Sequence, residues 1–301
     1  MEERHAEAVA RGAEDLPDNW GRWGEDDELG TLNLITGEAR ARGAAEVRTG
    51  RAVSLAQPVR PRPLVSGPFA PSSQEVSAVQ QVMAYTGSPA PATADVMLVA
   101  NHHLGSTHID ALAHIHRDGL VYPGRSLAES VTLAGVHHGS TTAFAAGITT
   151  RGVLVDLAAD GPLQPGHAVT SRDFEAAEER QGVRLEPGDA LVVRCGWSAA
   201  PDPERPMPGM SLDAVRWMHG RGVSLYVGDI GDAHPALDPA CPLPLHGVAL
   251  PLMGMPLVDG AAVDELAAVC AELRRYSFLL VVAPPRIHGL TGVPVNPIAL
   301  F

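Results

Sequence analysis

Five short apolar runs, VMLVA (96–100), GVLVDL (152–157), ALVVRCGW (190–197), VSLYVGDI (223–230) and FLLVVAP (278–284), recur along the chain with helical patterns between them. Runs of this length, rich in valine and leucine, suit strands in a buried sheet core. GEARARGAAEV (37–47) and SRDFEAAEERQG (171–182) read as helices, the second with Ser171 as N-cap and Gly182 as its end. SLDAVRWMHGRG (211–222) and AAVDELAAVCAELRRY (261–276) carry apolar residues at spacings of three and four. The alternation predicts an α/β architecture and leaves open whether the strands form an open sheet or curl into a barrel.

The 301 residues show no internal repeat and read as one domain over 19–301, preceded by a helical extension over 1–18. The segment PVRPRPLVSGPFAPSS (58–73) carries five prolines and is expected to be an extended loop, of the kind used as a lid or subunit arm.

Composition excludes several classes of function. With 22 Lys+Arg against 35 Asp+Glu, the formal net charge is -13, so no broad positive field attracts nucleic acid or an anionic membrane. The expected partner is a small molecule. No apolar run approaches the length of a membrane span, and MEERHAEAVARGAED at the start lacks the apolar region of a signal peptide, so a cytoplasmic location is expected. Cys195, Cys241 and Cys270 are scattered and read as core residues, not as a disulfide framework. There is no phosphate-binding glycine loop and no G-x-S-x-G elbow, which argues against nucleotide chemistry and against a serine hydrolase.

The chemistry concentrates in HHLGSTHIDALAHIH (102–116), where five of the 13 histidines and one aspartate fall within fifteen residues. Imidazole and carboxylate are the usual ligands of Zn²⁺ and related divalent metals. His108 and Asp110 stand two apart, so on a strand both project from one face and can share an ion. ALAHIHRDG (111–119) reads as a helix that brings His114 back beside Asp110, where it would ligate or carry protons. His103 lies five residues before His108, an odd spacing that spans roughly 16 Å in a straight strand, so it joins the site only through a bend at Gly105-Ser106. His102 has the matching parity but lies farther off and ranks below His103. His116, His137 and His138 read as structural.

Other residues are weaker candidates. Trp20 and Trp23 flank glycines and read either as core tryptophans or as a platform that would stack on an aromatic substrate. In the loop RIHGLTG (286–292), Arg286 and Thr291 are candidate substrate contacts. Asp229 and Asp232 close the VSLYVGDI run, at a strand end where sites commonly assemble.

Gly105, Thr107, His108, Asp110 and His114 reproduce most of an H-x-G-T-H-x-D-x-x-x-H segment, and in this the sequence resembles the cyclase family of metal-dependent hydrolases, the group that includes bacterial kynurenine formamidase and isatin hydrolase. The likeness extends to NWGRWGEDDELGTLNLI (19–35), RGVLVDL (151–157), EPGDALVVRCGW (186–197) and PPRIHGLTGVPVNPIALF (284–301). The resemblance implies a swivelling β/β/α fold, with a curved sheet or small barrel ringed by helices, in a homodimer or homotetramer. It implies a divalent metal, Zn or Mn, held by the motif histidines and Asp110, with His246 and Asp259 as the downstream ligands. Two departures stand out: the pattern's first histidine falls on Leu104, with His103 adjacent, and Asp259 stands where the formamidases have Glu.

The function so implied is hydrolysis of an amide-like bond (arylformamide or cyclic amide) or a lactone by metal-activated water, with His103, His108, Asp110, His246 and Asp259 as the metal set and His114 and Asp110 as the catalytic pair. Leu104 keeps a second reading in play, a lyase or cyclase using His/Asp acid-base chemistry without a catalytic metal.

Overall fold

A curled sheet of nine strands organises the computed structural model, which describes residues 16–63, 78–89, 91–197 and 205–301. In chain order the strands are β1 (Ala52–Ser54), β2 (His108–Asp110), β3 (Ile148–Asp156), β4 (Ala190–Arg194), β5 (Leu225–Gly228), β6 (Leu257–Asp259), β7 (Ser277–Val282), β8 (Gly292–Pro294) and β9 (Ile298–Leu300). Their order across the sheet is β1-β9-β7-β3-β4-β5-β6-β2-β8. The four central strands β3, β4, β5 and β6 are parallel. The flanking pairs are antiparallel.

Parallel neighbours require crossovers, and helices supply them. With α1 taken as Gly37–Ala44, α2 (Ser171–Gln181) links β3 to β4 and α3 (Leu212–Arg221) links β4 to β5. A π-helical segment, Leu245–Met253, leads into β6, and α4 (Asp264–Leu273) follows it. The apolar faces of α2 and α3 bury Phe174 and Met218, while β3, β4 and β5 bury Leu154, Leu191, Val193 and Val227. Removing such apolar area from water contributes about 25 cal/mol per Å². The helix boundaries follow from local chemistry. Asp173 accepts a 2.7 Å hydrogen bond from the Thr170 N–H, so Thr170 and not the expected Ser171 is the N-cap of α2. The positive φ of Gly182 (62°) closes that helix.

Two expectations change. VMLVA lies outside the main sheet, in an antiparallel hairpin of Val79–Thr86 with Ala92–Val99. Its Val96, Met97 and Leu98 are exposed, because the described chain adds only a two-residue strand, Arg62–Pro63, to this hairpin. Nor is ALAHIHRDG a helix. The Ala111 N–H donates to Thr291 O (2.8 Å) and the Ala113 N–H to Gly139 O (3.0 Å), so these groups bond to other segments and the backbone forms turns instead. The expected N-terminal helix falls almost wholly in residues 1–15, and much of the proline-rich loop in 64–77, outside the described residues. No helix among the described residues is long and apolar enough to cross a membrane.

The topology sets up one corner of the sheet. β2 runs against β6 so that His108 registers with Asp259, and on its other side Asp110 registers with Gly292 of β8. The carboxyl ends of β5 and β6, where ligands collect in parallel sheets, open onto that corner.

Candidate metal centre

Two residues apart on β2, His108 and Asp110 present their side chains to the same side. Asp110 is 1% exposed and sits at the middle of the cluster. Its Oδ1 lies 2.7 Å from His102 Nδ1 and 3.6 Å from His108 Nε2, whereas its Oδ2 lies 3.5 Å from His246 Nε2. The same His246 Nε2 is 2.9 Å from Asp259 Oδ2. Two groups of three result, His102, His108 and Asp110 on one side and Asp110, His246 and Asp259 on the other, each with its ligand atoms within 4.8 Å of one another.

Supporting contacts orient the rings. His108 Nδ1 donates to Ser106 O (2.9 Å), and His246 Nδ1 to Asp232 Oδ2 (2.7 Å). In both rings this leaves Nε2 turned toward Asp110, the arrangement in which an outer acceptor fixes the tautomer of a metal-binding imidazole. Asp232 is itself held by the N–H groups of Leu245 (2.7 Å) and His246 (3.0 Å). Thr291 Oγ1 meets His102 Nε2 at 2.9 Å, and His114 stacks on His102 with centroids 3.6 Å apart.

The electrostatics fit a cation. Burial pushes the Asp110 carboxyl up, but the hydrogen bond from His102 and the nearby rings of His246, His114 and His108 hold it well below the usual carboxylate range. Burial works against charge on His246, and the carboxylates of Asp259, Asp110 and Asp232 outweigh it and raise its pKa well above the ordinary value. His114 is pushed down to about 4, chiefly by burial, against the pull of Asp110. Two buried oxygens, Asp110 Oδ2 and Asp259 Oδ1, have no hydrogen-bond partner. Orphaned carboxylate oxygens are costly to bury, and one on each side of His246 is what a divalent ion would satisfy. The donor set therefore fits a divalent metal, with Asp110 able to serve two positions at once.

A cavity of about 380 Å³ opens beside the cluster, and its lining mixes His108, His246 and Asp259 of the cluster with the acid Asp229 and the apolar Leu104, Trp197 and Ile230. A hydrolysable group held at the cluster would leave an apolar body against these apolar side chains.

Of the residues singled out in the sequence, His108, Asp110, His246 and Asp259 are brought together, and His114 stands behind His102. His103 is not among them, and this is the main correction. Its Nδ1 accepts from the Gly105 N–H (2.9 Å) and its carbonyl from the Ser106 N–H (3.0 Å), so the ring closes its own turn. That turn folds the chain back and delivers His102 instead, the histidine with the matching parity. Thr291 reaches the cluster through His102. Trp20 lies apart, its indole N–H donating to Pro251 O (2.8 Å) beside a separate small cavity. Trp23 packs on the core, and Arg286 is exposed; neither lines the cavity beside the cluster. Asp232, a weaker candidate in the sequence as an acid at a strand end, is the group that orients the His246 ring.

Gly292 yields a sharp test of this geometry. A Cβ there would overlap His102 Cε1 and sit 2.8 Å from Ile109 O. Gly292→Ala is expected to displace the His102 ring and weaken metal binding about 10- to 100-fold, as changes behind a ligand do, in metal titrations on folded protein. Unchanged affinity would place His102 outside the centre.

Comparison with known proteins agrees with the architecture. Residues 53–233 match the Cyclase family model. No curated protein matches. A crystal structure of a novel cyclase superposes with a TM-score of 0.78 at 30% identity, covering 94% of this chain and 99% of that one. Isatin hydrolase A from Labrenzia aggregata, bound to benzyl benzoate, gives 0.60 at 17% identity, covering 83% and 93%. A potential metal-dependent hydrolase with cyclase activity gives 0.50 at 14%, covering 83% and 96%. The last two are likenesses of fold.

Proposed function

The chain belongs to the cyclase family, and from that premise we propose that it is a metal-dependent hydrolase of a small-molecule amide-like bond, in an arylformamide or a cyclic amide, or of a lactone. The observation that carries this reading is the pair of ligand triads meeting at Asp110 beside a cavity lined by both polar and apolar residues. His102, His108 and Asp110 would hold one divalent ion, and Asp110, His246 and Asp259 a second; Zn or Mn suits this mixture of imidazole and carboxylate. A metal bound there supplies Lewis acidity toward a carbonyl and makes water a nucleophile near neutral pH.

The chain's own residues do the rest. Ser106 O and Asp232 keep the two Nε2 atoms aimed inward, so little reorganisation is needed when substrate arrives. His114 stacks on His102 and stays neutral at working pH, placed to orient that ring and to pass a proton on without holding it. Leu104, Trp197 and Ile230 contribute apolar surface to the cavity, which favours an aromatic or aliphatic body on the substrate.

The test is turnover of isatin, formanilide and a simple aryl lactone by protein loaded with Zn²⁺ or Mn²⁺. At least one should be hydrolysed, with activity lost to a chelator and restored by metal. Chelator-insensitive turnover, or none on all three, would contradict the reading.

A further inference from the structure

One carboxylate in the substrate cavity has no part in the metal cluster. Asp229 follows β5, and among the described residues only it and Trp197 line both the 380 Å³ cavity and a neighbouring one of about 360 Å³. Backbone amides hold it in place. The Cys195 N–H reaches Oδ1 (2.9 Å) and Oδ2 (3.0 Å), while the N–H groups of Gly196 (2.8 Å) and Trp197 (3.2 Å) add to Oδ2. Oδ2 is thus saturated, and Oδ1 is the oxygen with room for a proton.

Hydrolysis of an amide needs a proton at the departing nitrogen, and few groups facing this cavity can give one. His108, His246 and Asp259 belong to the cluster. Asp232 is occupied by His246 and two backbone N–H groups, and His234 is exposed. Resting on the hydrolase reading above, we propose that Asp229 is a catalytic residue that donates the proton to the leaving group. Water-derived hydroxide adds to the carbonyl carbon, the C–N bond breaks with its electron pair kept by nitrogen, and nitrogen takes the proton from Asp229 Oδ1. The proton released when water becomes hydroxide passes to solvent, and the Asp229 carboxylate recovers one from solvent through the second cavity, so the cycle consumes one water and no net proton.

The surroundings support that duty. Burial pushes the Asp229 carboxyl up to about 6, with the amides of Cys195, Trp197 and Gly196 offsetting only part of it. On the adjoining strands the Cys195 thiol and the Tyr226 hydroxyl are driven well up by burial and stay neutral, the latter donating to Ile230 O. Arg194 is engaged by Asp156 and Asp264, and Arg205 stacks over Trp197 at 4.4 Å. Among the described residues lining the second cavity, the charged groups besides Asp229 are two acids, Asp264 and Glu265. The acids facing this cavity disfavour a further negative charge and Arg194 is paired with acids, while Arg205 lies over the Trp197 ring, so burial keeps the upper hand in favouring the protonated form.

Leaving-group dependence separates donation from a structural role. Anilide nitrogen is too basic to depart unprotonated, whereas phenolate departs readily. In the metal-loaded enzyme, Asp229→Asn is expected to slow formanilide hydrolysis by about 10²- to 10⁴-fold and phenyl formate hydrolysis by less than about tenfold. The wild-type rate on formanilide should also fall as pH rises through about 6, a limb absent from the variant. Equal losses on both substrates overturn the donor role and leave the hydrolase reading standing; a wild type inert toward both overturns the two together. A readout independent of turnover is carbon-13 NMR of aspartate-labelled protein. A carboxyl titrating near pH 6 that disappears in Asp229→Asn supports the proposal, and carboxyls all titrating below about 5 overturn it.

Discussion

Asp110→Ala is expected to abolish metal binding at both halves of the centre and to lower turnover by about 10³-fold or more, the scale seen when a principal charge-stabilising group is removed. No other side chain belongs to both ligand groups: Oδ1 faces His102 and His108, and Oδ2 faces His246. The variant loses the negative charge that holds three imidazoles together, so it should also be less stable at neutral pH. A carboxyl held below its ordinary value contributes stability above the unfolded value of about 3.9, and that contribution is lost as pH falls through the folded value. In metal-free protein the stability gap between wild type and Asp110→Ala should therefore narrow as pH drops below about 4, measured by denaturant unfolding. A constant gap would mean that Asp110 acts by packing alone.

The second large effect concerns neighbouring histidines. His102→Ala should weaken metal binding by more than the 10- to 100-fold typical of residues behind a ligand, because it removes a donor atom placed beside Asp110. His103→Ala should weaken it less, acting only through the turn that its ring closes with Gly105. Parallel zinc titrations of both variants decide the matter, and the reverse order of effects would return the ligand role to His103.

These two residues show how far sequence carries such a site. The two-residue spacing of His108 and Asp110 determined that they share a face, because the period of a strand leaves no alternative. Parity also favoured His102, but distance along an extended chain argued against it, and that distance disappears only when the turn from His103 to Ser106 is seen. His246 and Asp259 came from family resemblance; no local pattern joins positions so far from the motif, and it is the pairing of β6 with β2 that brings Asp259 opposite His108. β3, β4, β5 and β7 with α2, α3 and α4 were legible from hydrophobic runs and helical spacing, whereas the three-residue β6 carried no such run. The helix expected after Asp110 was not formed because Thr291 and Gly139, remote in sequence, take its backbone N–H groups. Trp20 and Trp23 looked like substrate platforms by composition alone, and tertiary packing placed them elsewhere.

The most direct test of the metal centre is a count of bound ions. Chelator-treated wild-type protein, incubated with Zn²⁺ or Mn²⁺ and freed of excess, should retain about one or two ions per chain by elemental analysis, and Asp110→Ala treated alike should retain almost none. Wild-type protein that retains no ion, or an Asp110→Ala variant that retains as many, would contradict the account.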